Sequence, residues 1–274
     1  MHHAGGLRIL CALVILAGVL QAGGPAGETV TARINRMLRE GRSLLASEPE
    51  KTLQLAREAR SAAKAAADFD RELEALNLAG DALKGMNRLP EAIANQTELI
   101  GLLKPSQLRQ KAMLLIDLGY LQFMAAEYEP ALRSALAGLR LAEQLHETQA
   151  VINAQFLVGV VHRNTGDNAR AIESFREAAR LAEESGDATM QGRALNEVGN
   201  VLMAQRKYVE SLSIKQEALV LARGQADILG MASCNADMGS IHLVMGNREI
   251  ALNHYLDAHR LLQRTSNERE KGII

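Results

Sequence analysis

A glycine returns on a forty-residue beat: Gly80, Gly119, Gly159, Gly199 and Gly239 are spaced 39, 40, 40 and 40 residues apart. Twelve residues after each stands Ala92, Ala131, Ala171, Ser211 or Ala251, followed at once by Ile93, Leu132, Ile172, Leu212 or Leu252. A weaker sixth copy surrounds Gly41 and Leu53, with a connecting turn one residue shorter. Self-similarity at a fixed period of this length marks a repeat architecture, so a division of 274 residues into one or two compact domains does not apply.

Each unit divides into two amphipathic stretches at helical spacing, joined by short turns such as Gly166-Asp167, Gly246-Asn247 or Glu129-Pro130. The unit is therefore a helical hairpin. Glycine inside a helix costs about 1 kcal/mol relative to alanine, so its return in every first helix needs a compensating contact. The spacing predicts that the second helix closes in until the Ala171 methyl touches the bare backbone of Gly159. One hairpin cannot bury both of its apolar faces, so neighbouring units must stack. The expected fold is all-α, a right-handed superhelical solenoid of antiparallel helix pairs with first helices lining the concave wall. The hydrophobic share is 47% with only 3% aromatic and no Trp, which assigns the core to aliphatic side chains and alanine.

The copy LVGVVHRNTGDNARAIESFREAARLAEESGD supplies Val158-Gly159, His162, Gly166, Ala171, Phe175 and Ala178, and the last full copy keeps Met238-Gly239, His242, Gly246, Ala251, Tyr255 and Ala258. This pattern resembles the tetratricopeptide repeat family over residues 29 to 274, most strongly over 108 to 266. The departures are a unit stretched from the usual 34 residues to 40, and Gln96, Ala135 and Lys215 in the aromatic column. A HEAT-like stack has an overlapping period and stays open as an alternative. The units fall at 27–68, 69–106, 107–147, 148–187, 188–226 and 227–266. The segment TSNEREKGII aligns with the entry into the fifth unit, which makes 267–274 the start of an incomplete seventh and suggests truncation.

Residues 1–26 read as a signal peptide. Arg8 precedes the apolar run Ile9 to Leu20, and small residues follow around Ala22 and Ala26. Twelve apolar residues fall short of the roughly 20 that span a membrane, so cleavage is expected, with an uncleaved anchor as the alternative. Either outcome implies an exported, periplasmic or extracytoplasmic body. Membrane association is expected only through this segment or through a missing C-terminal one. Cleavage leaves Cys234 as the sole cysteine, expected to be a small buried apolar residue.

A formal charge of −1 lacks the basic footprint that nucleic-acid binding requires, so nucleic acid is not an expected partner. No catalytic constellation stands out. LHETQ lacks the second histidine of a zinc-peptidase helix, GNVLMAQRK lacks a phosphate-loop ending, and there is no GxSxG turn. His162 and His242 fall in a packing column, while His254 and His259 point to different faces of one helix. No cofactor is expected.

The resemblance implies a ligand held in the concave groove by first-helix residues three before, one after and four after the glycine. Those rows, with one position a turn earlier, give Tyr120, Phe123, Asn153, Phe156, Arg163, Arg193, Asn196 and Asn200 as the candidate groove. Arginine and asparagine can hold a peptide's carboxylates and amides, and the aromatic residues supply anchor area. Ile116, Phe156 and Val160 can equally pack between repeats. The expected function is a protein- or peptide-binding scaffold. The layout also resembles the sensory front half of bacterial signalling proteins that carry a diguanylate cyclase or histidine kinase domain.

Overall fold

The computed structural model describes residues 28–270. The proposed signal peptide lies outside them. All described elements are α-helices, and the chain forms two compact units divided after Leu103. The first contains α1 (Val30–Leu44), α2 (Pro49–Ala65), α3 (Phe69–Gly85) and α4 (Leu89–Leu102). The second contains α5 (Leu108–Met124), α6 (Tyr128–Gln144), α7 (Thr148–Asn164), α8 (Asn168–Ser185), α9 (Ala188–Ala204), α10 (Tyr208–Gly224), α11 (Ile228–Val244) and α12 (Arg248–Glu270). Each unit is an all-α solenoid of antiparallel helix pairs in which every helix packs on its sequence neighbours.

The end of the first unit is written locally. Leu103 leaves the helical region at φ −65° and ψ 137°, two residues before Pro105, and a residue that precedes proline is itself pushed out of the α region. Apart from the α1–α2 connection, the others are tight and share one design. A helix ends, one residue takes positive φ, and the next residue caps the following helix. At the α7–α8 turn Gly166 has φ 84°, the Asp167 amide donates to the His162 carbonyl at 2.9 Å, and Asp167 Oδ1 then accepts from the Arg170 amide at 3.2 Å. This is a Schellman ending whose last residue doubles as the next N-cap. Asp68, Asp187 and Asp227 cap α3, α9 and α11 in the same way.

In the second unit first helices touch across repeats, α5 with α7, α7 with α9 and α9 with α11. They therefore form the inner, more crowded side of this unit. The side chains that follow the alanine column lock successive repeats. Leu132 packs against a cluster containing Leu157, Val158 and Val161, and Ile172 against Val198, Val201 and Leu202.

The glycine column packs closely, but its main cover differs from the alanine expected. A Cβ at Gly159 would lie 2.7 Å from the Phe175 ring, one at Gly199 2.7 Å from Lys215 Cγ, and one at Gly239 3.0 Å from the Tyr255 ring. The residue sixteen positions on thus crosses the bare backbone, because only a long side chain reaches over it from the second helix. Where that residue is Ala135, backbone comes in instead, with the Ala131 carbonyl 3.0 Å from a Cβ on Gly119. The column twelve positions on also arrives: Ser211 Oγ donates to the Gly199 carbonyl at 2.7 Å, and Thr52 Oγ1 to that of Gly41 at 2.9 Å. The second pair is one residue closer in sequence, as the shorter turn of the first copy requires, so Thr52 holds the column and Leu53 follows it.

Helix α12 runs unbroken to Glu270, across the position at which the register expects a seventh unit to begin. Upstream, the turn at this register has a left-handed residue, His146, Gly186 or Ala226. Residues 271–274 lie outside the described chain.

Candidate functional site

The inner face of the second unit separates the candidate groove residues into three groups. Tyr120 is 53% exposed, with its ring centroid 6.4 Å from that of Phe123 in a tilted arrangement. Phe123 turns the other way, packing into the clusters on either side of it and lying 5.9 Å from Tyr128. Ile116 and Val160, for which core packing was one of two readings, are buried.

Asn153 is exposed on α7 and lines a cavity of about 200 Å³ with Met113, Ile116, Asp117 and the Arg109–Glu147 ion pair, whose atoms are 2.9 Å apart. Phe156, Arg193 and Asn196 meet in a second cavity of about 260 Å³, formed by α7, α9, the end of α10 and the start of α11. Phe156 is fixed there by an edge-on contact with Phe175 at 5.5 Å. Arg193 is exposed and has no ion-pair partner among the described residues.

Arg163, Asn196 and Asn200 belong to a polar chain that sequence reading did not assemble. Arg163 pairs with Glu197, and Asn200 Nδ2 also donates to Glu197 at 3.3 Å. At its centre is Lys215 of α10, fully buried. Its stem runs over Gly199 and its ammonium emerges between α9 and α11. There Nζ donates to Asn196 Oδ1 at 2.9 Å, Asn200 Oδ1 at 2.6 Å and Asp237 Oδ2 at 2.7 Å. With the Asn196 carbonyl at 3.4 Å as a further, longer acceptor, all three donors are met, which is the condition for burying an ammonium without a large penalty. The sequence signal was a lysine in a column that elsewhere holds Phe175 and Tyr255; its pairing with Asp237 required knowing that glycine opens a path between helices.

Cys234 is buried beside this chain, its Sγ 3.5 Å from Asn196 Oδ1, and burial pushes its thiol up to about 11. It is an inert packing residue at neutral pH. His162 is buried with its pKa lowered, first by desolvation. His242 and His254 form a pair that sequence reading missed, with rings stacked at 5.5 Å and 6° and His254 Nδ1 3.1 Å from Asn235 Oδ1. Burial first, then the neighbouring His242, lowers the pKa of His254.

The fold class is an α-solenoid of forty-residue helical hairpins. Residues 152–185 match the family model for the tetratricopeptide repeat, and the chain as a whole is similar in fold to a solved tetratricopeptide-repeat protein. No curated protein matches the chain in sequence. Among solved structures, the signal transduction ATPase with a tetratricopeptide repeat sensor, PH0952 from Pyrococcus horikoshii, superposes with a TM-score of 0.76 at 10% identity, over 97% of this chain and 43% of that one. Aspartyl phosphate phosphatase F from Bacillus subtilis gives 0.60 at 15%, over 84% of this chain and 61% of its own. NprR in complex with its cognate peptide NprX gives 0.59 at 14%, over 98% and 77%. The chain thus spans less than half of the first protein and about three fifths of the second. Among the described residues no helix is long and apolar enough to cross a membrane.

Proposed function

We propose that this chain is a protein- or peptide-binding scaffold whose inner face over residues 104–270 receives the ligand, without chemistry of its own. The observation that carries this reading is the cavity where Phe156, Arg193 and Asn196 converge: an aromatic wall, an unpaired guanidinium and an amide on adjacent first helices. Aromatic and arginine side chains are the residue types that anchor interfaces. The peptide-bound state of NprR shows that a repeat array of this fold can take such a ligand. The polar chain rearranges the roles assigned from sequence. Arg163 and Asn200 are tied to Glu197 and Lys215, so they shape the groove, while Arg193, Asn153 and Tyr120 face a ligand.

The test is selection of a random peptide library on the full chain, repeated with Arg193→Ala and Asn153→Ala combined. The expected result is enrichment on the parent, at least about tenfold weaker binding by the variant, and unchanged helicity and thermal midpoint. A variant that binds selected peptides as well as the parent would remove this face from the function.

A second reading follows from the 43% coverage of PH0952, whose repeats are described as a sensor within a longer ATPase. On that reading the chain is the exported sensory region of a membrane signalling enzyme of the cyclase or kinase type. The gene downstream of Ile274 decides between the two: a membrane span and catalytic domain favour the sensor, a capping helix and stop codon the free scaffold. Export itself is tested by fusing residues 1–26 to a reporter active only outside the cytoplasm.

A further inference from the structure

The last hairpin carries, column for column, a face that the third hairpin buries. In the third, Phe123, Leu132, Leu136 and Leu139 share a cluster with Leu157, Val158 and Val161 of the next first helix, α7. Three periods further on the same columns hold Leu243, Leu252, Leu256 and His259, and all four are exposed. The surface that joins one repeat to the next therefore continues onto the end of the array, where no described helix covers it.

The side chains along α12 indicate what fits there. Glu249, Leu252, Leu256, His259 and Gln263 follow one another at alternating steps of three and four residues. Such spacing draws a single stripe along one side of a helix and is the seam by which two helices pair. All five are exposed, and neither Glu249 nor His259 has a side-chain partner among the described residues. Arg260 borders the stripe. It holds Asp257 at 3.1 Å one turn back on the same helix, an exposed pair that leaves other guanidinium donors free.

Laid antiparallel on a second copy, this stripe is complementary to itself. Leu252 of each copy faces Leu256 of the other, and Glu249 of each faces the His259 and Arg260 end of the other. Parallel pairing sets Glu249 on Glu249 and forfeits the match. A further repeat suits the face less well, because the three preceding hairpins fill the His259 column with Leu139, Ala179 and Leu219, all buried. An imidazole at that level is better met by a carboxylate than by an aliphatic helix. Among the described residues of the first unit, Val30 alone is a large apolar side chain left exposed, so that unit offers no matching face for head-to-tail growth. A self-complementary contact about a two-fold axis closes at two copies.

Going beyond the scaffold reading, we propose that the chain forms a two-fold homodimer through the outer stripe of α12. The contact uses none of the residues assigned to the ligand face.

The experiment is analytical ultracentrifugation of the full chain over roughly 1 to 100 μM, the range in which a contact of this size associates. The parent should pass from monomer to dimer and go no further. Leu252→Gln combined with Leu256→Gln should stay monomeric, with helicity unchanged because both side chains are exposed in the single copy. Glu249→Arg should weaken the dimer about fivefold or more, and Glu249→Arg with Arg260→Glu, which exchanges the two charges at constant net charge, should restore it. A parent that is monomeric at the highest concentration, or that grows into larger species, overturns the proposal. So does a dimer that survives the leucine variant, as association through residues 1–26 would. A charge exchange no tighter than Glu249→Arg alone overturns the antiparallel pairing even if the leucine variant misfolds.

Discussion

At the scale of single residues, the unit of construction is a long side chain laid across a glycine. Phe175 crosses Gly159 to back Phe156, Lys215 crosses Gly199 to hold Asn196 and Asn200, and Tyr255 crosses Gly239, its hydroxyl donating to Ser240 at 3.0 Å. The second helix thereby decides what the inner face presents. Adding a methyl at Gly159 meets the Phe175 ring at 2.7 Å, and overpacking of this kind costs about 1–3 kcal/mol against about 1 kcal/mol recovered in helix propensity. Gly159→Ala should therefore lower the urea midpoint by about 1 kcal/mol of stability. Gly101, also helical, has nothing within 4 Å of a new Cβ, and Gly101→Ala should raise stability by up to about 1 kcal/mol. Equal effects at the two positions would show that the column is not held by crossing side chains. The glycine beat was legible in sequence because it is periodic. The crossing residue was less so, since Ala135, Phe175, Lys215 and Tyr255 share a position and no chemistry.

At the scale of elements, the repeat is closed by turns rather than by long loops. Nine short connections place one residue at positive φ, and only Gly166, Gly186 and Gly246 among them are glycine. Ala67, Asn87, Ala126, His146, Arg206 and Ala226 hold the same conformation at φ 52° to 61°. A left-handed residue with a Cβ costs about 1–2 kcal/mol, partly returned because glycine loses more freedom on folding. Ala126→Gly and Ala226→Gly should each stabilise the chain by roughly 0.5–1 kcal/mol, and Gly166→Ala should cost a similar amount, all read from denaturation midpoints. A destabilised Ala126→Gly would mean that the turn is set by something other than backbone conformation. The helix pairs were legible in sequence despite these disguised turns, because apolar periodicity does not depend on the connecting residues. The α12 ending was not, since Ser266 and Asn267 suit a turn or a helix until a neighbour decides.

At the scale of the whole molecule, a repeat array draws its stability from each hairpin and from the interfaces between neighbours. Its end repeat has one such interface fewer among the described residues. Leu252 is 57% exposed, although its counterparts Ile172 and Leu212 are half-buried against the helix that follows each of them. Two histidines with lowered pKa values lie in different hairpins of this array: His162 buried on α7, near charged groups at the start of α8, and His254 on α12, stacked on His242. For both, burial disfavours the charged form, so the unfolded chain binds more protons than the folded one once pH falls below the ordinary histidine value of about 6.5. Stability therefore rises with pH through this window: the contribution is complete above it and is lost as pH drops toward the folded values. Because His254 faces a second histidine as well as a partly buried site, acidification should loosen α11 and α12 before α7 and α8. Hydrogen exchange at pH 7.5 and pH 6.0, corrected for the intrinsic rate, should show protection falling first in residues 228–264, with α7 and α8 nearly unchanged. His254→Gln, which can still bond Asn235 and does not titrate, should abolish most of that difference. Uniform loss across the second unit, or an unaltered response in the variant, would assign the acid sensitivity to other groups.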